Sequence, residues 1–109
     1  MAGCNNASES EKIAALATVE QGAILIDVRT DSEFQNGHLA GAINMPVASI
    51  VDLATQAGLS QSSEIVVYCR SGNRSRIAKA SLEAAGFSRV SNAGGYEDLL
   101  RLQTASANQ

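Results

Sequence analysis

The chain has 109 residues, of which 45% are hydrophobic and 17% are charged, and its formal net charge is −3. This length fits one domain with a modest core. The acidic balance argues against a nucleic-acid partner, which would require a basic face. No apolar run approaches the roughly 20 residues that span a bilayer. The sequence therefore predicts one globular domain with no transmembrane span, and we expect a monomer.

The first residues carry a feature of their own. Residues 1–8 are predicted to be a disordered lead-in. Within them, Cys4 follows the small residues Ala2 and Gly3 and precedes polar residues, which resembles the end of a bacterial lipoprotein signal. The apolar stretch that precedes such a cysteine is missing. If it was removed, Cys4 is a lipidation site and the protein belongs to the bacterial periplasm or envelope. If it never existed, Cys4 is incidental and we expect a cytoplasmic protein. The upstream gene sequence decides between the two.

Apolar spacing predicts strands that alternate with helices along the chain. Two nearly continuous apolar runs, 23–28 and 64–68, are typical of strands buried on both faces of a parallel sheet. The pattern predicts two further strands, 42–45 and 89–92, and helices 9–20, 47–57, 75–85 and 96–102. A fifth, short helix is predicted to run through Phe34 and to be capped by Thr30, Asp31 or Ser32. The Gly94-Gly95 pair is predicted to form a loop, and residues 103–109 a frayed tail, so the domain is expected to span 9–102.

Two of the predicted helices show an apolar face. In the first, Ile13, Leu16 and Ala17 follow helical spacing, and in the fourth the face comprises Ile77, Ala78, Leu82 and Ala85. Alternating strands and helices indicate an α/β fold, with a central parallel sheet of four to five strands and helices on both faces. Ligands of such folds bind at the carboxyl ends of the strands. Attention therefore falls on the segments 27–29 and 68–70.

The segment after the third predicted strand contains a cysteine in a setting suited to anions. It reads Cys69, Arg70, Ser71, Gly72, Asn73, Arg74, Ser75 and leads into a helix. A thiol is nucleophilic only as its thiolate, and helix N-termini and arginines stabilise anions. Gly72 and Asn73 tolerate left-handed backbone, which would let successive N–H groups form an anion-binding nest. We expect Ser75 to cap the helix and to donate a hydrogen bond into this cradle.

This loop and two other segments resemble the rhodanese family of sulfurtransferases, in their single-domain form. The likeness covers about residues 10–102 and is carried by these segments: 27–34 with 37–46, 69–75, and 92–96. The resemblance implies a five-stranded parallel sheet, although a fifth strand cannot be placed in the sequence. It also implies a catalytic Cys69 that forms a persulfide. Sulfur would come from thiosulfate or a similar donor and pass to cyanide or to a thiol, including a protein thiol.

The remaining polar residues are assigned supporting or structural parts. Asp27 and Arg29 follow a neighbouring strand, where they either support the site or form a salt bridge of the scaffold, and the salt bridge is favoured. His38, the single histidine, is interpreted as a structural turn residue rather than a partner of Cys69. With one histidine and no Cys-X-X-Cys pair, no metal-ligand spacing is present and no cofactor is expected.

Two alternatives remain beside sulfur transfer. A phosphatase or arsenate reductase loop would place its arginine at position 75, where this chain has Ser75. Here the arginine is at position 74, so the loop from Cys69 to the arginine is one residue shorter. We expect this shorter loop to suit a single sulfur better than a tetrahedral phosphate. The second alternative is a rhodanese-like module that carries sulfur between partners or binds them, with little turnover of thiosulfate.

Overall fold

The computed structural model describes residues 9–70 and 73–107, which form a parallel sheet flanked by helices. The elements in chain order are α1 (Glu9–Glu20), β1 (Ile24–Asp27), α2 (Asp31–Gln35), β2 (Ile43–Asn44), a 3-10 turn (Val47–Ser49) that leads into α3 (Ile50–Gln56), β3 (Ile65–Cys69), α4 (Asn73–Ala84), β4 (Val90–Gly95) and α5 (Tyr96–Ala107). The predicted α/β fold is confirmed. The fifth strand that the resemblance implied is not among the described residues.

The sheet has the order β2-β1-β3-β4, and every pairing is parallel. The most apolar strands, β1 and β3, are the two central ones, where neighbours on both sides and helices on both faces remove them from water. The carboxyl ends of β1 and β3 lie side by side, since Asp27 is paired with Tyr68. The two segments singled out in the sequence therefore meet at one edge of the sheet.

Alternate residues of β3 enter two separate cores. Val66 and Tyr68 pack with α1 and α5 residues such as Ala15 and Leu99 on one face. Val67 and Cys69 pack on the opposite face, in the cluster that includes Ala78 of α4. This alternation follows from the two-residue period of a strand. It places the Cys69 side chain on the face that α4 covers.

Among the element boundaries that differ from the predicted ones, those of α4, β4 and α5 affect the surroundings of the site. Helix α4 begins at Asn73 rather than 75, in a first turn that lacks the apolar periodicity on which the prediction relied. Gly94 and Gly95 belong to β4, paired with Tyr68 and Cys69, because these ladder contacts outweigh the poor strand propensity of glycine. Helix α5 continues to Ala107 in place of the frayed tail predicted from residue 103. Gln103 is tied to the turn before β2, since its Oε1 accepts a hydrogen bond from the backbone N–H of Ala40 at 3.1 Å.

The predicted apolar faces of two helices are partly wrong. Ile13 of α1 is 52% exposed and Ile77 of α4 is 45% exposed. In α1 the inward positions are instead Ala15 and Lys12, and the Lys12 ammonium is paired with Asp98 of α5 at 2.7 Å. A lysine can replace an apolar residue here because its aliphatic stem packs inward while its charge finds a partner.

Residues 1–8, with the predicted lead-in and Cys4, and the loop residues Ser71 and Gly72 lie outside the described residues. Among the described residues, none of the helices combines the length and the hydrophobicity that a membrane span requires.

Candidate active site

Cys69 is the last residue of β3, and its side chain is fully buried, with a relative exposure of 0%. All five residues of this strand are buried, so the thiol belongs to a strand that is fully enclosed by the fold. Helix α4 begins at Asn73, so the sulfur lies near a helix N-terminus as the sequence predicted.

Ser75 supplies a hydroxyl to this sulfur. Its Oγ lies 3.5 Å from Cys69 Sγ and donates a hydrogen bond to Asn92 Oδ1 at 2.7 Å. Ser75 is fully buried and stands within the first turn of α4 rather than before it. The prediction that Ser75 caps the helix is therefore wrong, whereas a hydroxyl directed towards Cys69 agrees with the geometry. Asn92 had no role in the sequence-based prediction, because its contact with Ser75 joins two separate segments.

Arg74 is held by an ion pair. Its Nη1 donates to Glu33 Oε1 at 2.8 Å, and its Nη2 donates to Glu33 Oε2 at 3.1 Å. This bidentate geometry joins the first turn of α4 to helix α2. The pKa of Arg74 is raised, first by the hydrogen bond to Glu33 and further by electrostatic interaction with Glu33 and Cys69. Arg74 thus interacts electrostatically with the Cys69 sulfur, while its guanidinium is already bound to the Glu33 carboxylate.

Glu33 was not predicted to be a site residue. The Arg74 hydrogen bond, followed by the backbone N–H of Thr30, lowers the pKa of Glu33 to about 2. Thr30 and Glu33 form the capping box of α2, in which each side chain accepts from the backbone of the other. Glu33 therefore both closes the start of α2 and binds the arginine of the Cys69 segment.

Arg70 is exposed and, within the described part of the chain, forms no ion pair. It lines a cavity of about 270 Å³ whose other described residues are Arg29, Glu33, Asn36, Gly37, Tyr96 and Glu97. The cavity opens at the carboxyl ends of the strands. Arg70 therefore differs from Arg74 in having its guanidinium available to an anion that enters there.

Asn73 does not adopt the left-handed backbone predicted for it. It is the first residue of α4, and no described residue other than glycine has a positive φ. The Asn73 Oδ1 accepts a hydrogen bond from Arg76 Nη2 at 2.9 Å. This contact holds the start of the helix rather than the sulfur.

Asp27 and Arg29 form a buried ion pair on the other face of the sheet. Arg29 Nη2 donates to Asp27 Oδ2 at 2.7 Å and to the Gly37 carbonyl at 2.6 Å. The Tyr68 hydroxyl donates to Asp27 Oδ2 at 2.8 Å and accepts from the backbone N–H of Leu39 at 3.1 Å. Burial is the main cause that raises the pKa of this tyrosine, so its hydroxyl stays protonated and keeps donating.

This network also involves the aromatic ring of Tyr96, which lies 4.3 Å from the Arg29 guanidinium carbon. It links β1, β3, α5 and the turn before β2. Since Tyr68 and Cys69 point to opposite faces, the geometry favours the scaffold interpretation of Asp27 and Arg29.

His38 lies away from the sulfur contacts. Its Nδ1 donates to the Phe34 carbonyl at 2.8 Å, and its ring stacks on that of Phe34 with centroids 3.7 Å apart. This arrangement agrees with the structural role expected of it. Among the described residues, no group of His, Cys, Asp and Glu side chains could hold a metal ion.

A parallel α/β domain with a buried thiol between a central strand and a helix N-terminus defines a class of cysteine-dependent domains. The model of the rhodanese-like domain family matches residues 10–101, and the chain belongs to that family. The family resemblance inferred from the sequence is therefore confirmed.

Curated relatives agree with this assignment. The chain is 36% identical over 74 residues to thiosulfate sulfurtransferase PspE of Escherichia coli, with 68% of this chain and 71% of the relative covered. It is 40% identical over 84 residues to thiosulfate sulfurtransferase GlpE of Pseudomonas savastanoi, with 76% and 77% covered.

Solved structures show the same fold. A rhodanese with anions from E. coli has a TM-score of 0.67 and 35% identity, with 71% of this chain and 91% of that chain covered. The Alr3790 protein from Anabaena has a TM-score of 0.74 and 30% identity, with 84% of each chain covered. At the level of the family, these likenesses support rhodanese-type sulfur transfer.

Proposed function

We propose that the protein is a sulfurtransferase that moves a sulfane sulfur from thiosulfate, or a similar donor, to cyanide or a thiol through a persulfide on Cys69. The Cys69 thiolate attacks the outer sulfur of thiosulfate. The S–S bond of the donor breaks and sulfite leaves with its electron pair. An acceptor thiolate or cyanide then takes the outer sulfur of the persulfide, and the Cys69 thiolate is restored. Covalent catalysis of this kind divides one transfer into two easier steps.

The observation that carries this proposal is the position of Cys69, at the carboxyl end of a central strand with a hydroxyl 3.5 Å from its sulfur. A helix N-terminus and Arg74 favour negative charge at this place. The relatives named thiosulfate sulfurtransferases supply the donor class.

Electrostatic recognition of the donor is assigned to the arginines of the loop. Arg70 has no ion-pair partner in the described residues and lines the open cavity, so we assign it the capture of the anionic donor. Arg74 contributes its field to the sulfur while it is bound to Glu33. Charges fixed before the reaction stabilise a leaving anion such as sulfite at no further cost of reorganisation. The N–H groups of residues 70–74, including Ser71, Gly72 and Asn73, are proposed to hold the persulfide.

The test is intact-mass analysis after incubation with thiosulfate. We expect the wild type to gain one sulfur atom and Cys69→Ser to gain none. Cys4→Ser is the matched control, because Cys4 and Cys69 are the two cysteines of the chain, and it should gain the sulfur normally. If the wild-type protein gains no sulfur under these conditions, thiosulfate is not the donor and this part of the proposal is wrong.

A second candidate is a sulfur carrier that is loaded by a protein partner. It is favoured by 31% identity over 68 residues to the putative sulfur carrier protein YrkF of Bacillus subtilis, although the match covers only 36% of that relative. A carrier would show the Cys69 persulfide when isolated from cells but little turnover of thiosulfate.

Cysteine-dependent phosphate hydrolysis is the less favoured alternative. Position 75 holds a buried serine whose hydroxyl contacts the sulfur, where such enzymes need an arginine for the phosphate. Release of phosphate from an aryl phosphate, abolished by Cys69→Ser, would favour this alternative over sulfur transfer.

A further inference from the structure

The Ser75 hydroxyl carries one proton, and at least two acceptors lie within its reach, Asn92 Oδ1 and Cys69 Sγ. Asn92 Oδ1 lies 2.7 Å from Ser75 Oγ, which is a short hydrogen bond between oxygens, and Cys69 Sγ lies at 3.5 Å. Ser75 is fully buried, so its interaction with these groups is not diluted by bulk water. A rotation about the Cβ–Oγ bond redirects the hydrogen bond from one acceptor to the other, while the proton stays on Ser75 Oγ.

The Asn92 carboxamide is oriented for this competition. Its Oδ1 also accepts a hydrogen bond from the backbone N–H of Gly94 at 2.9 Å. The Gly94 N–H can only donate, which identifies the accepting atom of Asn92 as the oxygen rather than the amide nitrogen. The register of β4 shifts here, since Val67 is opposite Asn92 and Tyr68 is opposite Gly94. Such bulges redirect side chains next to functional sites.

We propose that Asn92 is a positioning residue that controls the direction of the Ser75 hydroxyl and thereby the stability of an anionic sulfur on Cys69. This inference rests on the proposed function. While Cys69 carries its own proton, the Ser75 hydroxyl donates to Asn92 and its oxygen can accept from the thiol. When the thiol has lost its proton to solvent, or carries a persulfide anion, the hydroxyl turns and donates to the sulfur. Asn92 then keeps the Gly94 N–H, so its oxygen is not left unsatisfied.

Apart from Arg70, which lines the open cavity, the charged groups on the elements around Cys69 are engaged or exposed, which leaves the Ser75 hydroxyl as an adjustable group beside the sulfur. On α4, Arg74 interacts electrostatically with the sulfur and is fixed by Glu33. On β1, Asp27 is engaged with Arg29 and Tyr68 on the other face of the sheet. Strand β4 contains no charged residue, and the one acid of α3, Asp52, is exposed. Rotation of the Ser75 hydroxyl therefore changes the local field without moving a formal charge.

The proposal predicts opposite effects for two neighbouring polar deletions. Ser75→Ala removes a donor to the thiolate, so the pH midpoint of Cys69 alkylation by iodoacetamide should rise. Asn92→Ala removes the competing acceptor, so the midpoint should fall. A neutral hydrogen bond of ordinary strength corresponds to about a threefold to tenfold change in the alkylation rate below the midpoint. All variants are made in the Cys4→Ser background, so that Cys69 is the one thiol.

Coupling between the two sites is the decisive observation. Asn92→Ala should have little effect on the midpoint once Ser75→Ala is present. Ser91→Ala is the matched control on the same strand, at an exposed position, and should leave the profile unchanged. If Asn92→Ala does not fold, Asn92→Asp keeps both accepted hydrogen bonds and holds the hydroxyl proton more strongly. Asn92→Asp should then raise the pH midpoint of Cys69 alkylation, and the rise should be larger with Ser75 present than in the Ser75→Ala background.

Equal shifts from Asn92 substitution with and without Ser75 would overturn the proposal. Alkylation reports on the thiol itself and requires no sulfur donor. The predicted shifts should therefore appear even if thiosulfate transfers no sulfur, an outcome that would count against the proposed function alone. Normal persulfide formation with no coupling between Asn92 and Ser75 would count against the positioning role alone.

Discussion

The two arginines nearest to Cys69 in sequence differ in what already binds them. Arg74 is paired with Glu33 through two hydrogen bonds, whereas Arg70 lines a cavity and has no ion pair among the described residues. A guanidinium that is engaged twice has less capacity to bind a further anion. The sequence suggested that both arginines stabilise anions at this site. The structure separates them, and we assign capture of the anionic donor to Arg70 and a fixed electrostatic effect on the Cys69 sulfur to Arg74.

Replacement of Arg70 should therefore affect the donor and not the fold. We expect Arg70→Ala to lower kcat/KM for thiosulfate about 10- to 100-fold, since a charge-assisted contact is worth about 1.5–3 kcal/mol. The thermal midpoint should stay within measurement error. A neutral organic thiosulfonate should react almost as well with Arg70→Ala as with the wild type, since an uncharged donor does not need the Arg70 guanidinium. Arg89→Ala, at the amino end of β4, is the control, and an equal loss of activity there would refute the assignment.

At the scale of elements, the end of β1 is joined to its neighbours by the buried pair of Asp27 and Arg29. Arg29 extends to the Gly37 carbonyl, and Tyr68 of β3 extends to the backbone N–H of Leu39. Loss of one member leaves the other buried without its partner, which costs far more than the net value of the intact pair.

We predict that Asp27→Ala destabilises the protein by about 3–5 kcal/mol, because the Arg29 charge loses its buried carboxylate. Urea unfolding followed by circular dichroism gives the free energy of unfolding. Asp52→Ala, which alters an exposed aspartate of α3, should change it by no more than about 0.5 kcal/mol. A loss below about 1 kcal/mol for Asp27→Ala would show that the network does not stabilise the sheet.

For the whole molecule, acid should weaken the link between α2 and α4. The pKa of Glu33 in the folded protein is about 2, below its ordinary value, so its ion pair stabilises the fold above about pH 4.5. This stabilisation is lost as the pH falls from about 4.5 to about 2. Because the pair is partly exposed to solvent, we expect the loss to be about 1 kcal/mol.

Glu33→Gln tests this expectation, since glutamine retains the capping box but not the charge. Its unfolding free energy should be lower than that of the wild type at pH 7, and the difference should shrink as the pH approaches 2. Glu64→Gln, in the exposed pair with Arg89, should show a smaller pH-dependent difference. A constant difference between pH 7 and pH 2 for Glu33→Gln would contradict the assignment.

The extent to which the sequence predicted the structure follows from how far apart the contacting residues lie. Continuous apolar runs predicted β1 and β3, and a local motif predicted the place of Cys69. The contact of Ser75 with Asn92 joins residues 17 positions apart, and that of Glu33 with Arg74 joins residues 41 positions apart. No local pattern contains such pairs. The predicted inward position of Ile13 was wrong for the same reason, because the partner that lets Lys12 turn inward is Asp98 of α5, far away in the sequence.

The alternation of Tyr68 and Cys69 has a practical consequence for engineering. Adjacent residues of one strand serve two compartments, a polar clamp on one side and the reactive sulfur on the other. The sheet thus separates the two side chains, although Arg29 and Arg70 still line one cavity beyond the strand ends. Substitutions at Ser75 and Asn92 can therefore change the acidity of the Cys69 thiol, or the group that it carries. The network of Asp27, Arg29 and Tyr68, which stabilises the fold, stays unchanged.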